Sequence, residues 1–131
     1  MAENFVKAIK VHKFTYNRMK KVKAKTNPLL FVHGGCHIQL DYEDTIEKVI
    51  DTFTWSIGYI GLDETVKALT GKQLHENPKL GEEILSVLHN MIQIAKEETG
   101  LRLAMYSTPA ESLCYKFLEK DREEFGVIEG V

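Results

Sequence analysis

The sequence predicts an α/β fold that is rich in helices. Amphipathic patterns with helical spacing occupy most of the 131 residues. Two short apolar runs have the character of strands, and helical segments lie between them. This order is typical of parallel strands joined by crossover helices. We therefore expect two strands and about five helices.

The composition is that of an ordinary globular protein and argues against several other classes. Hydrophobic residues make up 44% and charged residues 27%, with a net charge of −2. Neither an electrostatic preference for nucleic acid or membrane nor a membrane-spanning run is indicated. The N-terminus lacks a signal-peptide core, and two distant cysteines form no disulfide framework. We expect a cytoplasmic protein with free thiols, comprising one domain or part of one.

The first half of the chain is predicted to run helix, strand, helix. Residues 1–25 have a partial apolar face, and the polar and proline residues at 26–28 should end that helix. Residues 29–32 form a continuous apolar run, typical of a buried strand. Residues 41–56 place apolar side chains at helical spacing after an acidic first turn, which predicts an amphipathic helix.

The second half is predicted to run helix, long helix, strand, helix. A helix over residues 62–69 should close at Gly71, a natural C-terminal glycine. Residues 81–99 carry the clearest amphipathic stripe in the chain, and Gly100 ends it. Residues 101–105 then alternate as a strand does.

The stretch that follows the second strand carries the main functional signal. Thr108 and Glu111 have capping-box spacing and Pro109 suits a first helical turn, so we expect a helix over 109–121. Its free N–H groups and the neighbouring hydroxyls could bind a phosphate; the hydroxyls belong to Ser107, Thr108 and Ser112. The alternative is a capped helix start that binds nothing. The position at the carboxyl end of a strand favours a ligand.

Two further patterns have both a functional and a plain structural interpretation. His33, Cys36 and His37 could suggest a metal site, but a closed zinc site needs a fourth ligand, so ordinary packing is favoured. The basic residues of 1–25 could bind nucleic acid. A solvated helix face is favoured there, because aromatic residues are few among the lysines.

Several blocks of sequence together resemble one enzyme family, anaerobic (class III) ribonucleoside-triphosphate reductase. They are WSIGYIGLDETVKALTG, EETGLRLAMYSTPAESLCYKF and DREEFGVIEGV, preceded by NPLLFVHGG. The resemblance extends from about Lys20 to the last residue, and the spacing between the blocks also fits.

The resemblance implies a fold and a chemistry. The family's enzymes fold as a ten-stranded α/β barrel and reduce ribonucleoside triphosphates to deoxyribonucleotides. A glycyl radical passes to a cysteine inside the barrel, and formate is the usual reductant. An activase carrying an iron–sulfur cluster and S-adenosylmethionine installs the radical.

The resemblance also assigns roles within STPAES, which matches the family's substrate-phosphate loop. That implies phosphate binding by Ser107, Thr108, Pro109, Ala110, Glu111 and Ser112. The N–H groups of Ala110, Glu111 and Ser112 would donate, and the three hydroxyls would assist. Pro109 would shape the turn, and Glu111 would cap or orient rather than touch phosphate.

The family's radical machinery has no counterpart in this sequence. Its radical cysteine lies upstream of the matching region, so Cys36 and Cys114 inherit no catalytic role. Its radical glycine and zinc-binding cysteines lie downstream. We therefore expect residues 1–131 to form a single partial domain of the barrel, inactive alone.

Its partners would be the ribonucleoside triphosphate, the activase, the remaining reductase segments and possible further copies of itself. The alternatives are a stand-alone or split-subunit binding protein, or a small metal or redox protein using His33, Cys36 and His37.

Overall fold

The computed structural model describes residues 2–34 and 39–127. These residues form six α-helices, one short 3₁₀ helix and two strands. In chain order they are α1 (Ala2–Met19), the 3₁₀ helix (Ala24–Thr26), α2 (Pro28–Phe31), α3 (Glu47–Ile50), β1 (Trp55–Tyr59), α4 (Leu62–Thr70), α5 (Pro78–Thr99), β2 (Leu103–Ser107) and α6 (Glu111–Phe125). The predicted α/β class is confirmed.

The two strands pair in parallel. The Trp55 N–H donates to the Arg102 carbonyl at 2.8 Å, and the Thr108 N–H donates to the Tyr59 carbonyl at 3.4 Å. From the first of these bonds to the second, both strands run toward their carboxyl ends, so the pairing is parallel. Trp55 therefore lies beside Arg102, the residue just before β2. α4 and α5 connect them, although the prediction placed the first strand at residues 29–32 and not at β1.

The chain divides into two compact units. The first contains the residues up to Ile57 together with Ile92–Ala104. The second contains Gly58–Met91 and the residues from Met105 onward. The division falls inside β1, α5 and β2.

The first unit has a hydrophobic cluster in a region with little regular secondary structure. Phe31 and Phe53 stack there with ring centroids 6.2 Å apart. The buried members of the cluster are Ala24, Phe31, Val32, Leu40, Ile46 and Val49. Burial of these apolar side chains, rather than a long helix or strand, holds this segment in place.

The inner face of α1 packs around Trp55 in the same unit. The rings of His12 and Tyr16 meet the Trp55 ring edge-on, at centroid distances of 5.6 and 6.2 Å. His12 Nε2 lies 3.2 Å from the Ser56 carbonyl, and the Tyr16 hydroxyl donates to the Asp51 carboxylate at 2.6 Å. α1 is therefore anchored at the start of β1.

The prediction of a buried strand over residues 29–32 is wrong, because this run begins a short helix. The Asn27 side chain accepts a hydrogen bond from the Leu30 N–H at 3.3 Å, and Pro28 takes the first helical position. Asn followed by Pro is a strong helix start. Phe31 is buried and Leu29 is 79% exposed.

The prediction of a helix over residues 41–56 is also wrong, as only α3 is helical there. The Ala24 N–H donates to the Asp44 carbonyl at 2.8 Å, and the Ile46 N–H donates to the Val22 carbonyl at 3.0 Å. This short antiparallel bridge uses backbone groups that a longer helix would need. It also explains why α1 ends at Met19 instead of continuing to residue 25.

The second unit follows the prediction more closely. α4 covers the predicted helix, and Gly71 closes it in a left-handed conformation with φ 72°. The long helix α5 is confirmed and begins at Pro78 rather than at residue 81. Within the described ranges, none of the helices has the length and apolar character to cross a membrane.

Candidate phosphate-binding site

The predicted phosphate loop lies between β2 and α6, but its local structure differs from the prediction. β2 extends to Ser107, and α6 begins at Glu111, with Ala110 in the N-cap position. The predicted capping box is therefore wrong: Thr108 is no N-cap and Pro109 lies before the helix. The physical reason is that the Thr108 N–H bonds to the Tyr59 carbonyl, so Thr108 continues the strand pairing.

Ala110 has an unusual backbone conformation. Its φ and ψ are 37° and 36°, and it is the sole non-glycine residue with positive φ in the described part of the chain. Such a conformation costs about 1–2 kcal/mol for a residue with a side chain. A left-handed residue followed by right-handed ones turns successive N–H groups to one side, forming a concavity that suits an anion.

The start of α6 leaves donors available. The Ala110 carbonyl accepts from the N–H groups of Leu113 and Cys114, each at 2.9 Å. The N–H groups of Glu111 and Ser112 precede these donors, so α6 offers them no acceptor. Among the side chains that the structure describes, none makes a capping hydrogen bond at Ala110.

The loop is open to solvent. Ser107, Pro109 and Ser112 are exposed, and Thr108 and Ala110 are half-buried. α6 itself is mostly exposed, with Leu118 and Asp121 half-buried. Ser107 thus ends β2, residues 108–110 form an accessible connection, and Glu111 and Ser112 are the first two residues of α6.

Gly58, in β1, supports this loop through its contact with Thr108. A Cβ placed on Gly58 would overlap Thr108 Oγ1 and lie 3.6 Å from the Thr108 Cβ. The Thr108 side chain therefore packs directly over the Gly58 backbone. The signal for a strand here was the run Trp55–Tyr59, in which aromatic and β-branched residues enclose a glycine.

A groove runs along α6 on the side of α4. Its volume is about 520 Å³, and it is lined by Ile60, Gly61, Glu64, Thr65, Cys114, Tyr115, Phe117, Leu118 and Asp121. The lining combines apolar side chains with two carboxylates, so it offers no positive charge to a phosphate.

The alternative metal site gains no support from the described residues. His33 is exposed, and its Nε2 lies 3.0 Å from the Tyr42 hydroxyl. Cys36 and His37 lie outside the described residues. Among the residues that are described, no group of three His, Cys, Asp or Glu side chains could hold a metal ion.

Comparison with known proteins identifies the family. The profile described as anaerobic ribonucleoside-triphosphate reductase matches residues 1–131. The anaerobic ribonucleoside-triphosphate reductase of Escherichia coli (strain K12) is 36% identical over 120 residues, which cover 87% of this chain and 17% of that protein. The protein of the same name from Enterobacteria phage T4 is 34% identical over 115 residues, covering 86% and 18%. The chain thus spans less than a fifth of the length of these relatives. It belongs to the anaerobic ribonucleoside-triphosphate reductase family.

Proposed function

We propose that this chain supplies part of the catalytic barrel of an anaerobic ribonucleoside-triphosphate reductase and binds the substrate's triphosphate at residues 107–112. The observation that carries the proposal is the left-handed Ala110 at the start of α6, separated from the parallel strand β2 only by Thr108 and Pro109. Ligands of α/β folds gather at such strand ends.

The loop offers hydrogen-bond donors suited to phosphate oxygens. The N–H groups of Ala110, Glu111 and Ser112 would donate, and the helix dipole of α6 would add a partial positive charge. The exposed hydroxyls of Ser107 and Ser112 would donate as well. Pro109 has no N–H and would fix the turn, while Glu111 would cap or orient the helix start.

The radical chemistry of the reaction would come from other parts of the reductase. The glycyl radical installed by the activase would initiate the reaction and be regenerated at its end, and formate would supply the two electrons that reduce the substrate. The described residues hold no group that could bind zinc or another metal, so we assign no metal to them. The role of residues 107–112 is to hold the anionic end of the substrate in a fixed place. This lowers the entropic part of the activation barrier for the reduction.

The barrel is part of the same proposal. The parallel pairing of β1 and β2, with α4 and α5 between them in sequence, supports their being two neighbouring strands of the family's ten-stranded barrel. The remaining strands would come from segments outside this chain, and residues 1–131 would then be one partial domain.

A titration of the ¹⁵N-labelled chain with ATP or CTP tests the phosphate site. We expect the amide signals of Ala110, Glu111 and Ser112 to shift with a Kd of roughly millimolar strength, about −4 kcal/mol. The corresponding nucleosides, which lack phosphate, should leave these amides unchanged. If the amides of the lysine-rich α1 shift while those of residues 110–112 stay still, the site is wrong.

A further inference from the structure

We propose that Gly58 is a positioning residue for the substrate triphosphate, acting through Thr108. The proposal rests on the proposed function and adds to it a residue on the neighbouring strand. Gly58 touches no phosphate itself. Its missing side chain is what allows Thr108, and with it the phosphate loop, to lie where it does.

The backbone of Gly58 gives no other reason for a glycine. Its φ lies outside the left-handed region in which glycine is favoured, unlike Gly61 and Gly71. A glycine inside a strand weakens the strand, so its presence calls for a close approach of other atoms. Here those atoms are Oγ1 and Cβ of Thr108.

A methyl group at position 58 could be accommodated only if Thr108 moved. Threonine is stiff at χ1, and the Thr108 N–H is bonded to the carbonyl of Tyr59, the residue after Gly58. Rotation of the side chain would redirect the hydroxyl, and displacement of the backbone would weaken that bond. Either response changes the residue that leads into the loop.

The change at Thr108 would pass to the phosphate donors through Pro109. Proline fixes its own φ and restricts the conformation of the residue before it, so Thr108 and Pro109 form a stiff link that leads directly into Ala110. Ala110 sets the direction of the N–H groups that follow. Gly58 therefore influences where these donors point.

The test is a double-mutant cycle on the 131-residue chain, with inorganic triphosphate as the probe. We expect Gly58→Ala to weaken binding about tenfold and Thr108→Ala about threefold. In the Thr108→Ala background the overlapping oxygen is gone, so Gly58→Ala should cause no further weakening. This rescue separates positioning through Thr108 from general damage to the strand.

Gly81→Ala is the matched control. A Cβ at Gly81 would overlap Leu74 Cδ1 as closely as one at Gly58 overlaps Thr108, but that contact lies away from the loop. It should leave the Kd for triphosphate unchanged, because the flexible end of the Leu74 side chain can move aside without disturbing residues 107–112.

The possible outcomes separate this proposal from the proposed function. If wild-type amides 110–112 do not respond to triphosphate, the proposed function fails and this proposal fails with it. If they respond but Gly58→Ala binds normally, or weakens binding equally in the Thr108→Ala background, only the role of Gly58 is overturned. Should Gly58→Ala prevent folding, the double variant must bind like Thr108→Ala alone; weaker binding overturns the proposal.

Discussion

The chain contains two places where a polar residue and a proline precede a helix, and the structure uses them in opposite ways. At Asn27–Pro28 the Asn27 side chain caps the backbone of α2, and the helix begins at once. At Thr108–Pro109 the helix starts later, at Glu111, and none of the described side chains caps it. The first start satisfies a donor internally, whereas the second leaves its donors open.

The difference arises from what precedes each proline. The Asn27 N–H closes the 3₁₀ turn by bonding to Ala24, so the Asn27 side chain can reach forward to Leu30. The Thr108 N–H is used by the sheet, and its side chain packs on Gly58. A proline near a helix start is therefore a capping signal after a turn, but after a parallel strand it can leave the first N–H groups of the helix without an intrahelical acceptor.

The largest effect should follow from placing a negative charge at the second position of α6. Ser112→Asp should weaken triphosphate binding more than tenfold, because the carboxylate repels the phosphate from the donors. The helix itself should gain about 0.3–1 kcal/mol from an acid in its first turn. Calorimetry and thermal unfolding would measure the two effects.

Leu29→Asp is the matched control, since Leu29 holds the same position in α2 and is 79% exposed. It changes the net charge equally and should leave the Kd unchanged. Equal weakening by both variants would mean that binding reflects only overall charge.

A smaller effect is expected when the capping side chain is removed. Asn27→Ala should lower the free energy of unfolding by about 1 kcal/mol, because the Leu30 N–H loses its acceptor. Urea denaturation measures this, and triphosphate binding should not change. If Asn27→Ala weakened binding without lowering stability, the contrast between a capped α2 and an open α6 would be wrong.

The smallest effect concerns the strained residue before α6. Ala110→Gly should raise the free energy of unfolding by up to about 1 kcal/mol, because glycine accepts a positive φ without strain. Ala68→Gly, at an exposed position inside α4, should instead lower it by about 1 kcal/mol. If both substitutions destabilise the chain, the left-handed conformation of Ala110 is not stable in solution.

Long, strongly periodic patterns were predictable from the sequence, and short apolar runs were not. The stripe of α5 has enough turns to exclude a strand, and its end at Gly100 is a clear stop. The four residues from Leu29 to Val32 fit a buried strand or a buried helix equally well. The spacing of Ile46, Val49 and Ile50 is apolar because all three side chains are buried. A longer helix would give the same spacing. The helix is short because the neighbouring backbone pairs with residues 22–24, a contact that the local sequence does not show.

The candidate site was predictable in place but not in detail. The order of strand, hydroxyl-rich loop and helix located residues 107–112 at the end of a parallel strand. The start of α6 could not be predicted, because it depends on Thr108 pairing with Tyr59, a residue far away in the sequence. For the same reason the sequence could not show that Thr108 is the residue that approaches Gly58. Phosphate binding and the barrel stay predictions.

The packing of Trp55 against α1 gives the chain an internal optical reporter. It is the single tryptophan of the sequence, and the rings of His12 and Tyr16 touch it from a helix more than thirty residues earlier. Detachment of α1 would remove both neighbours and change the indole emission. Fluorescence therefore follows the integrity of the first unit without a label, while backbone amide signals follow the loop in the second.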